Sequence, residues 1–574
     1  MGLFKNKVKA PWEKFYTKKE LNIKVPDCSI YELIEQRAEE VPNNPALHYF
    51  GKNISYRTFM KQIDKCAKSF RSQGVREGDV VTICMPNTPE AIIAFYALNK
   101  IGAIANMIHP LSAEQEIKNY LNSTKSIMLI MIDVCYEKVK NIIDETNVYK
   151  TIVVSAKDSM PMLLGIGYSL TKGLNVKKPA RSGEYIRWND FMLLGYNYNG
   201  KYQTVGKKDT PAVILHSGGT TGNPKGIVLS NGNFNALALQ VPVVMSNVKP
   251  KDGILAIMPI FHGFGLGVCV HVPLYLQAKV ILIPTFDAKR FDKLITHYHP
   301  NVLVGVPTLW EAMLTNNHFK NMDLSMLKYV VSGGDSLTPA LASKINIFLK
   351  EHHANIKVYQ GYGMTESVAA TALAWGDANV TGSIGIPFPG DYYKIVVPNT
   401  QDEVPYEEEG EICVSGPTVM LGYLDNEKET NEVLQKHKDG RIWLHTGDMG
   451  YMTSDGIIFY TQRLKRMIIS SGYNVYPSRI EQVIEEHEGV LKCTVVGIPH
   501  PYKVQVPKAY IVLKEGYSSS KVKKEIKELC EKNLAKFSVP KDFEFRKSLP
   551  KTLIGKVNYR DLERQGRENI HEEE

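Results

Sequence analysis

Cysteine is scarce in this sequence and never occurs in a closely spaced pair. The 574 residues contain eight cysteines, scattered singly along the chain without a C-x-x-C pattern. This distribution argues against both a disulfide framework and a zinc site. Single cysteines usually occupy core positions as small apolar groups, and a reducing cytosol is their natural setting. We therefore expect a cytoplasmic protein.

Long apolar runs are also lacking. The N-terminal stretch MGLFKNKVKAPWEKFY does not contain the apolar segment of a secretory signal. The most apolar long segment, residues 266–284, is interrupted by His271, Pro273, Gln277 and Lys279. Because a spanning helix needs about 20 mostly apolar residues, we expect no transmembrane segment.

The charge balance is mild, with a net charge of +9. Neither zinc-finger spacing nor an aromatic-basic RNA signature occurs, so we expect no nucleic-acid partner. The sequence leaves the oligomeric state open. The lysines near the start of the chain are compatible with a solvated arm or with weak peripheral attraction to phosphate or an anionic membrane. They are Lys5, Lys7, Lys9, Lys14, Lys18 and Lys19.

Short runs rich in Val and Ile alternate with helical patterns over most of the chain. Apolar runs occur at 80–85 and 328–332, and helical patterns occur at 30–40 and 340–351. This alternation predicts an α/β fold with largely parallel sheets. Residues 160–198 interrupt the alternation and indicate an insertion or a long surface excursion. Residues 382–423 predict a small β-rich unit.

A domain boundary is predicted at Lys465, inside a basic run. The residues beyond it alternate short strands and helices and form a unit of about 110 residues, which is long enough to fold alone. The predicted organisation is therefore a large N-terminal domain, residues 1–464, and a mobile α+β C-terminal domain, residues 465–574. The N-terminal domain would contain several α/β layers and the β-rich unit.

The segment HSGGTTGNPKG, residues 216–226, follows an apolar strand. Glycines let backbone N–H groups turn toward a ligand without side-chain clashes, and such a loop can cradle a polyphosphate. The segment is not a Walker A loop, because Asn223 and Pro224 separate the glycine from the lysine. The residues expected to bind a nucleotide are Ser217, Gly218, Gly219, Thr220, Thr221, Gly222 and Lys225.

This segment resembles the signature of the adenylate-forming superfamily, which contains acyl-CoA synthetases, firefly-type luciferases and amino-acid-adenylating modules. Further motifs follow in the family's order, and the resemblance runs from Tyr31 to about Arg560. It implies that a carboxylic acid is activated with ATP as an acyl-adenylate and then transferred to a thiol. ATP, Mg²⁺ and coenzyme A are the implied cofactor and co-substrates.

The second motif is QGYGMTES, residues 360–367. From the residues alone, Glu366 can bind a divalent cation, since Mg²⁺ prefers carboxylate oxygens together with substrate phosphates, and Thr365 can hydrogen-bond a phosphate oxygen. The resemblance implies the same catalytic roles and adds Thr221 at the metal. It also implies an adenine site bordered by Gly361, Tyr362 and Gly363 on one side and by Gly334 on the other.

Two later motifs imply contacts with the sugar and the phosphates. Asp448, in HTGD, matches the family's ribose-binding aspartate, and Arg463 matches an arginine that contacts ribose or phosphate. Lys465 matches the hinge about which the small domain turns. Many members have Gly or Asp at the position of Gln462 and Asp at that of Arg466, so the details of the hinge motion stay open.

The last two motifs lie in the predicted small domain. Gly472 belongs to a strip that resembles the lining of the pantetheine tunnel, and Lys556 matches the family's adenylation lysine. The resemblance therefore implies that Lys556 acts in adenylate formation. Rotation about Lys465 would then bring Gly472 to the site for the thiol step.

The segment PIFHGFG, residues 259–265, matches the border of the family's acyl pocket, with His262 as a candidate gate. Residues 304–309, with Trp310 beyond them, would supply an apolar wall or gate. Amino-acid-adenylating modules place an aspartate about where His262 stands, so an amino-acid substrate is disfavoured. The chain resembles bacterial medium- or long-chain fatty acyl-CoA synthetases most. Aryl or bile acids, a luciferase-like or carrier-protein-loading enzyme, and a non-catalytic nucleotide-binding relative remain alternatives.

Overall fold

The computed structural model describes residues 8–177, 179, 183–216, 225–470, 473–500, 504–551 and 557–571. The chain divides into two compact units. The first unit consists of Met1–Tyr392 and Ser415–Leu444, and the second of Tyr393–Val414 and His445–Glu574. The predicted boundary at Lys465 lies inside the second unit, and rotation about Lys465 stays a prediction.

Strands and helices alternate along the described residues. The strands are β1 (Pro45–Tyr49), β2 (Lys52–Ser55), β3 (Val80–Cys84), β4 (Ile104–Ile108), β5 (Met128–Ile132), β6 (Lys150–Val154), β7 (Tyr185–Arg187), β8 (Pro211–His216), β9 (Gly226–Ser230), β10 (Gly253–Ala256), β11 (Lys279–Leu282), β12 (Val302–Gly305), β13 (Tyr329–Ser332), β14 (Val358–Tyr362), β15 (Ala372–Leu373), β16 (Ile386–Pro387), β17 (Tyr392–Val396), β18 (Gly410–Ser415), β19 (Gly422–Tyr423), β20 (Leu434–Lys436), β21 (Ile442–Met452), β22 (Ile458–Arg463), β23 (Ile468–Ser470), β24 (Tyr473–Val475), β25 (Val490–His500), β26 (Val504–Leu513) and β27 (Asp542–Phe545). The α-helices are α1 (Lys18–Leu21), α2 (Ile30–Glu40), α3 (Tyr56–Ser72), α4 (Pro89–Lys100), α5 (Glu114–Ser123), α6 (Tyr136–Val139), α7 (Met162–Leu170), α8 (Trp188–Leu194), α9 (Asn231–Val244), α10 (Val272–Tyr275), α11 (Phe291–Tyr298), α12 (Pro307–Thr315), α13 (Pro339–Glu351), α14 (Glu427–Val433), α15 (Pro477–Glu485), α16 (Ser519–Asn533) and α17 (Tyr559–His571).

One sheet of the first unit has eight strands among the described residues, in the order β19-β9-β8-β4-β3-β5-β6-β7. The strands from β8 to β7 in this order pair in parallel, whereas β9 and β19 are antiparallel to their neighbours. Strands such as β5 are continuous apolar runs that are buried throughout. Such runs are typical of parallel sheets covered on both faces.

The other large sheet of the first unit has the order β16-β15-β14-β13-β12-β10-β11-β1-β2. Its central strands, from β14 to β1 in this order, are parallel. The carboxyl ends of these strands therefore lie on the same side of the sheet. Open α/β sheets bind ligands just outside these carboxyl ends. The loops that leave these ends contain the predicted acyl and adenine residues.

Buried helices form a layer between these two sheets. Every residue of α4 is buried, as expected for a helix enclosed on all sides. Helices α4 and α9 pack against the eight-stranded sheet, whereas α10 and the π-helix Phe264–His271 pack against the nine-stranded sheet. Because α9 also contacts α10 and the π-helix, the helices connect the two sheets into one core. The predicted α/β class is confirmed.

Residues 160–198 are a surface excursion only in part. Helix α7 is exposed, but β7 extends the eight-stranded sheet, and α8 buries Trp188 and Phe191. The ring of Phe191 lies 5.0 Å from that of Phe70 in α3. The prediction of a surface excursion is therefore wrong for the second half of this segment. Isolated aromatic residues in a polar stretch give no local sequence signal that they are buried.

Residues 382–423 do not form a single β-rich unit. Strand β16 joins the nine-stranded sheet and β19 joins the eight-stranded sheet, while β17 and β18 belong to a third sheet. Strands of two residues carry too little pattern to show which sheet they join. The predicted strands are thus present, but the predicted unit is not.

The second unit contains strands β17, β18, β21 and β22 in one sheet and a compact α+β region after it. In that region the sheet order is β24-β23-β26-β25, with β27 beside β26. Helices α15 and α16 pack over it around a core that includes Ile480, Val483 and Ile526. The α+β character predicted for residues 465–574 is confirmed.

Seven of the eight cysteines are buried, which confirms the predicted role of most of them as core residues. Among the described residues, no helix combines the length and the apolar character needed to span a bilayer.

Candidate active site

The predicted phosphate loop joins two antiparallel strands, with His216 at the end of β8 paired to Gly226 at the start of β9. Residues 217–224 lie outside the described residues, so the roles of Ser217, Gly218, Gly219, Thr220, Thr221 and Gly222 stay predictions. At the base of the loop, Nε2 of His216 donates to Oδ1 of Asn106 at 2.7 Å. Burial lowers the pKa of His216 to about 3, so the imidazole is neutral at physiological pH.

Lys225 follows the loop directly and is within contact distance of two residues of the segment 415–444. Its Nζ lies 2.7 Å from Oε2 of Glu429 and 4.8 Å from the centroid of the Tyr423 ring. Both charged side chains are about one-third exposed. Lys225 is therefore held beside an aromatic face and a carboxylate while part of its surface stays open to solvent.

The hydroxyl of Tyr423 donates to Oε1 of Glu366 at 3.0 Å. Lys225 and Glu366, which are 141 positions apart in the numbering of the chain, thus contact opposite parts of one tyrosine. The backbone places Tyr423 there, because β19 pairs with β9 and sets Tyr423 opposite Ile227. The N–H of Met420 also donates to the carbonyl of Glu366 at 2.8 Å. The structure therefore brings together the phosphate-loop lysine and the predicted metal ligand.

Glu366 lies in a short 3₁₀ turn, Thr365–Ser367, that follows β14. The next residue, Val368, has φ 64° and ψ −63°, and the N–H of Ala369 donates to the carbonyl of Ser367 at 2.8 Å. This is a γ-turn with positive φ, which a β-branched residue adopts at a cost of about 1–3 kcal/mol. Backbone strain of this size next to a predicted catalytic glutamate is typical of functional sites.

The acyl-pocket segment holds this strained turn from the other side. A Cβ atom on Gly263 would lie 1.4 Å from the carbonyl oxygen of Val368, so only glycine permits this approach. His262, the residue before it, is half-buried, and its ring lies 5.0 Å from that of Phe261. The structure thus places the candidate gate His262 next to the turn that carries Thr365 and Glu366.

The predicted adenine walls meet at the carboxyl edge of the nine-stranded sheet. Gly361 and Tyr362 end β14, and Gly334, with φ 75°, follows the neighbouring strand β13. A Cβ atom on Gly334 would lie 3.6 Å from Val306 and 3.9 Å from Phe264. The loops after β10, β12, β13 and β14 therefore converge here.

The structure also describes Gly363 and Trp310, two other predicted residues of this region. A Cβ atom on Gly363 would lie 2.0 Å from the carbonyl oxygen of Ala369, so Gly363 is required by the turn itself. Trp310 is fully buried in the core with Leu309 and Met313. The role of residues 304–309, with Trp310 beyond them, as an apolar wall or gate stays a prediction.

In the second unit, Asp448 and Arg463 are opposite each other on β21 and β22. Nε of Arg463 lies 2.9 Å from Oδ1 of Asp448. Asp448 is almost fully buried, whereas the Arg463 side chain is 45% exposed. Asp448 and Arg463, which are predicted to contact ribose and phosphate, therefore form an ion pair in which the arginine side chain is partly exposed to solvent.

A buried pair lies beneath the Gly447–Asp448 turn. Nδ1 of His445 donates to Oε2 of Glu411 at 2.9 Å, and the N–H of Gly447 donates to Oε1 of Glu411 at 3.0 Å. Burial acts to raise the pKa of Glu411, but the bonds from His445 and Gly447 outweigh it and lower that pKa. Glu411 thus binds the backbone next to Asp448 as an ionised group.

The remaining predicted residues lie in or beside undescribed stretches. Lys465 is exposed in the turn Leu464–Arg466. Gly472 and Lys556 lie outside the described residues, although an antiparallel bridge pairs Lys551 with Val557 on either side of the Lys556 loop. Their proposed roles stay predictions.

Sequence reasoning missed two residues beside Lys225 in the first unit and one beside Asp448 in the second unit. Tyr423, Glu429 and Glu411 lie between the quoted motifs, and their contacts depend on strand pairings that join distant segments. A tyrosine and two glutamates in polar stretches give no local signal of such contacts. Strand β18 is buried at every position, so no alternation of polar and apolar residues marks Glu411 as an inward-facing acid.

The AMP-binding enzyme family matches residues 34–424, and the AMP-binding enzyme C-terminal domain matches residues 479–556. A long-chain-fatty-acid–CoA ligase of Bacillus subtilis is 32% identical over 553 residues, with 95% of this chain and 96% of that protein covered. A probable 4-coumarate–CoA ligase 1 of Dictyostelium discoideum is 30% identical over 572 residues, with 97% and 98% covered. The crystal structure of the anthranilate CoA ligase AuaEII with anthranoyl-AMP matches the fold with a TM-score of 0.82 at 23% identity, over 96% of this chain and 99% of that one.

Proposed function

The chain belongs to the AMP-binding enzyme family, and on that premise we propose that it joins a fatty acid to the thiol of coenzyme A through an acyl-adenylate. Its general class is an AMP-forming acid–thiol ligase. The acid, the metal ion and the roles of individual residues are our proposal.

The observation that carries this proposal is the set of contacts that joins Lys225, Tyr423 and Glu366. It places a cation from the end of the phosphate loop and a half-buried carboxylate on one tyrosine. A site for a nucleotide triphosphate needs both a cation for its phosphates and an anionic ligand for its metal. The positions of Lys225 and Glu366 on either side of Tyr423 support the binding of ATP at the carboxyl ends of the strands in the nine-stranded sheet.

Adenylate formation brings an anionic acid to an anionic phosphate, so the protein must offset the repulsion between them. Lys225 supplies positive charge at the phosphates, and Thr365 donates to an oxygen of the innermost phosphate. One well-placed donor is worth about 2.7–4 kcal/mol in kcat. Gly361, Tyr362 and Gly334 hold adenine, and this binding fixes the position of the phosphates.

The residues around Glu366 fit a magnesium ion. A carboxylate oxygen is the ligand that Mg²⁺ prefers, and the hydroxyl of Tyr423 fixes the carboxylate through Oε1. Glu366, with Thr221, would hold the ion. When bound, the ion would offset the negative charge of the phosphates.

The second unit supplies the sugar contacts and the later step. The carboxylate of Asp448 accepts hydrogen bonds from the ribose hydroxyls, and Arg463, already paired with it at 2.9 Å, orients that carboxylate. Lys556 stabilises the negative charge that develops during adenylate formation. After rotation about Lys465, the strip that contains Gly472 receives the thiol.

The proposed acid is a medium- or long-chain fatty acid. The relatives from Bacillus subtilis and Salmonella typhimurium are named as long-chain-fatty-acid–CoA ligases, and His262 stands where amino-acid-adenylating relatives carry an aspartate. The Dictyostelium relative is named for an aryl acid, so an aryl acid is the second candidate. The experiment that follows also tests bile acids as substrates and a carrier-protein thiol as the acceptor.

The test is pyrophosphate release over fatty acids of graded length, aryl acids, bile acids and amino acids. We expect kcat/KM to rise up to about fourfold per CH₂, which corresponds to about 0.8 kcal/mol, until the pocket is filled. Coenzyme A, a holo-carrier protein and no acceptor are then compared, and thioester should form with coenzyme A. A higher kcat/KM for an aryl acid would overturn the fatty-acid assignment, and absence of acid-dependent pyrophosphate release would identify a non-catalytic relative.

The variant Lys556→Ala tests whether Lys556 acts in adenylate formation but not in thioester formation. This variant should lose adenylate formation by about 100-fold or more but still convert supplied acyl-adenylate and coenzyme A into thioester. Lys551→Ala, in the same segment, is the matched control. Equal loss of both half-reactions in Lys556→Ala would contradict the assignment.

A further inference from the structure

Two buried cysteines lie side by side at the carboxyl ends of neighbouring strands, and the proposed chemistry does not use them. Cys84 ends β3, and Cys135 ends the 3₁₀ turn that follows β5. Strands β3 and β5 pair in parallel, with Cys84 opposite Met131. Both cysteines are free thiols, and the two thiols hydrogen-bond each other. The fold therefore brings two sulfur atoms that are distant in the sequence into contact.

The two thiols form a short chain of hydrogen bonds that ends on a main-chain carbonyl. Cys84 donates to Sγ of Cys135, and Sγ of Cys135 donates to the carbonyl of Pro110 at 3.1 Å. Sγ of Cys84 also lies 4.0 Å from the carbonyl oxygen of His109. A thiol has only one hydrogen to donate, so this arrangement exists only while both cysteines are reduced.

The two thiols differ in acidity. The hydrogen bond from Cys84 lowers the pKa of the Cys135 thiol, and although burial acts to raise that pKa, the charge of Lys138 also acts to lower it. The pKa of each of the other seven thiols is raised, by burial or, for Cys84, chiefly by its bond to Cys135. Cys135 is therefore the most readily ionised cysteine of the chain, and the thiolate is the form that attacks an oxidant.

Cys135 lies just below the protein surface. Val134, the residue before it, is 54% exposed. Cys135 stands between a 3₁₀ turn of three residues and helix α6, which has four residues. Elements this short contain few backbone hydrogen bonds of their own, so they open locally at a low cost in free energy. A small oxidant such as a hydroperoxide therefore reaches the thiols without global unfolding.

The loop that accepts the hydrogen bond from Cys135 is also in contact with the candidate acyl-pocket segment. We call residues 109–112, which follow β4, the 109–112 loop. Nζ of Lys138 donates to the carbonyl of Ser112 in this loop at 2.9 Å, so the segment after β5 holds the loop at two points. The ring of His109 lies 4.2 Å from the ring of Phe261, which precedes the candidate gate. A displacement of the 109–112 loop would therefore reach the border of the proposed acyl site.

We propose that a hydroperoxide oxidises Cys84 and Cys135 to a reversible disulfide, and that this modification weakens binding of the acid. The sulfur of Cys135 attacks a peroxide oxygen, the O–O bond breaks, and a sulfenic acid forms with release of water or an alcohol. The sulfur of Cys84 then attacks the sulfenic sulfur, and the S–S bond forms as the hydroxyl group leaves with the proton of Cys84 as water. The two sulfurs together lose two electrons, which the peroxide accepts, and a dithiol reverses the reaction.

The modification changes the support of the 109–112 loop in two ways. It removes both thiol hydrogens, so the carbonyl of Pro110 loses its donor. It also shortens the distance between the two sulfurs from hydrogen-bond contact to about 2.05 Å. The expected effect on the acid rests on the proposed function, whereas formation of the disulfide does not.

The chemical test uses the full chain without ATP, acid or coenzyme A. The protein is treated with hydrogen peroxide, the remaining thiols are blocked in acidic denaturant, and its proteolytic peptides are compared by mass spectrometry with and without dithiothreitol. A pair of peptides joined through Cys84 and Cys135 should form and should separate on reduction. The matched control Cys66→Ala, which removes a buried thiol of α3, should still form this pair. In Cys84→Ser the sulfenic acid of Cys135 has no thiol partner and should be trapped by dimedone.

The functional test is pyrophosphate release with octanoate as the varied acid. Oxidation of the parent should raise the KM for octanoate about fivefold, because a hydrogen bond that holds the loop is lost, and should change kcat much less. Dithiothreitol should restore the original KM. Cys135→Ser keeps a hydroxyl donor for the carbonyl of Pro110, so its KM should match that of the reduced parent and should not respond to peroxide. Cys135→Ala, if the serine variant does not fold, should likewise not respond to peroxide.

Different results would overturn different parts of the proposal. Absence of the joined peptides in the oxidised parent, or a link through another cysteine such as Cys28, would contradict the disulfide. Absence of a dimedone adduct in Cys84→Ser would contradict attack by Cys135 as the first step. An equal rise of KM in the oxidised parent and in oxidised Cys135→Ser would contradict the effect on the acid. Absence of acid-dependent pyrophosphate release in the reduced parent would contradict the ligase proposal alone, because the peptide analysis does not depend on catalysis.

Discussion

Glu366 in the first unit and Glu411 in the second unit lie beside different proposed contacts with the nucleotide, and their surroundings differ in a way that separates their roles. Glu366 is half-buried, and Oε1 accepts one bond from the hydroxyl of Tyr423. Glu411 is buried, and its two oxygens accept from His445 and from the N–H of Gly447. The comparison teaches that a partly open carboxylate can bind a ligand, whereas a buried carboxylate with protein partners holds neighbouring backbone in place.

The largest effect is expected for Glu366→Gln, because the substitution removes the charge that would bind the metal. Pyrophosphate release should fall by about 100-fold or more. Glu432→Gln, an exposed residue close to Glu429, is the matched control and should keep the parent rate. A Glu366→Gln enzyme with the parent rate at saturating magnesium would show that Glu366 is not the ligand-binding member of the pair.

The next effect tests Glu411 as a positioning residue. Glu411→Gln should raise the KM for ATP about tenfold and change kcat much less, because the bonds that fix the Gly447–Asp448 turn are weakened. Glu409→Gln, two residues earlier, removes the negative charge of a carboxylate that accepts a bond from Thr461 and serves as the control. Steady-state kinetics with ATP as the varied substrate give the answer, and a change in kcat alone would count against positioning.

A smaller effect is expected for Tyr423→Phe, which keeps the ring beside Lys225 but removes the hydroxyl that orients Glu366. The rate of adenylate formation should fall several-fold, up to about tenfold. Tyr202→Phe removes the same kind of bond, a phenol to Asp64 at 2.7 Å, far from the motifs. If both variants lose activity equally, the loss reflects stability rather than orientation of Glu366.

The smallest effect on activity is expected at Glu90, a buried carboxyl that has hydroxyl partners and the nearby Asp158 carboxylate in place of a histidine. Burial raises its pKa from 4.5 to about 7, although bonds with Ser159 and Thr88 act to lower it. The folded state therefore holds the proton more tightly than the unfolded chain, so the stability contributed at this site falls as pH rises from 4.5 to about 7.

Glu90→Gln removes this dependence and should stabilise the protein by up to about 3 kcal/mol above pH 7, with little difference below pH 4.5. The check is the thermal midpoint of the parent and the variant over this pH range, with the exposed Glu39→Gln as control. A constant difference at all pH values would show that Glu90 does not titrate between the two limits. Together with Glu411, this result would separate buried carboxyls with and without a histidine as hydrogen-bond partner.

Local patterns were sufficient for the elements with strong periodicity. Helix α2 has the predicted bounds, because Ser29 caps it and apolar residues recur on one face. The buried strand β13 ends at Ser332 as the apolar run does. The tertiary structure overrode these patterns in residues 160–198 and 382–423, where short strands and isolated aromatics are stabilised by partners distant in sequence.

The sequence by itself determined the α/β class, the phosphate-loop motif and the order of the motifs, because these depend on residue type and local spacing. Only the tertiary structure decided that Tyr423 stands between Lys225 and Glu366, that Glu411 supports the Asp448 turn, and that Gly263 packs on the strained Val368 carbonyl. Such contacts arise from strand pairings and loop crossings between distant segments. No local pattern encodes them, because the free energy that fixes them comes from packing of the whole unit.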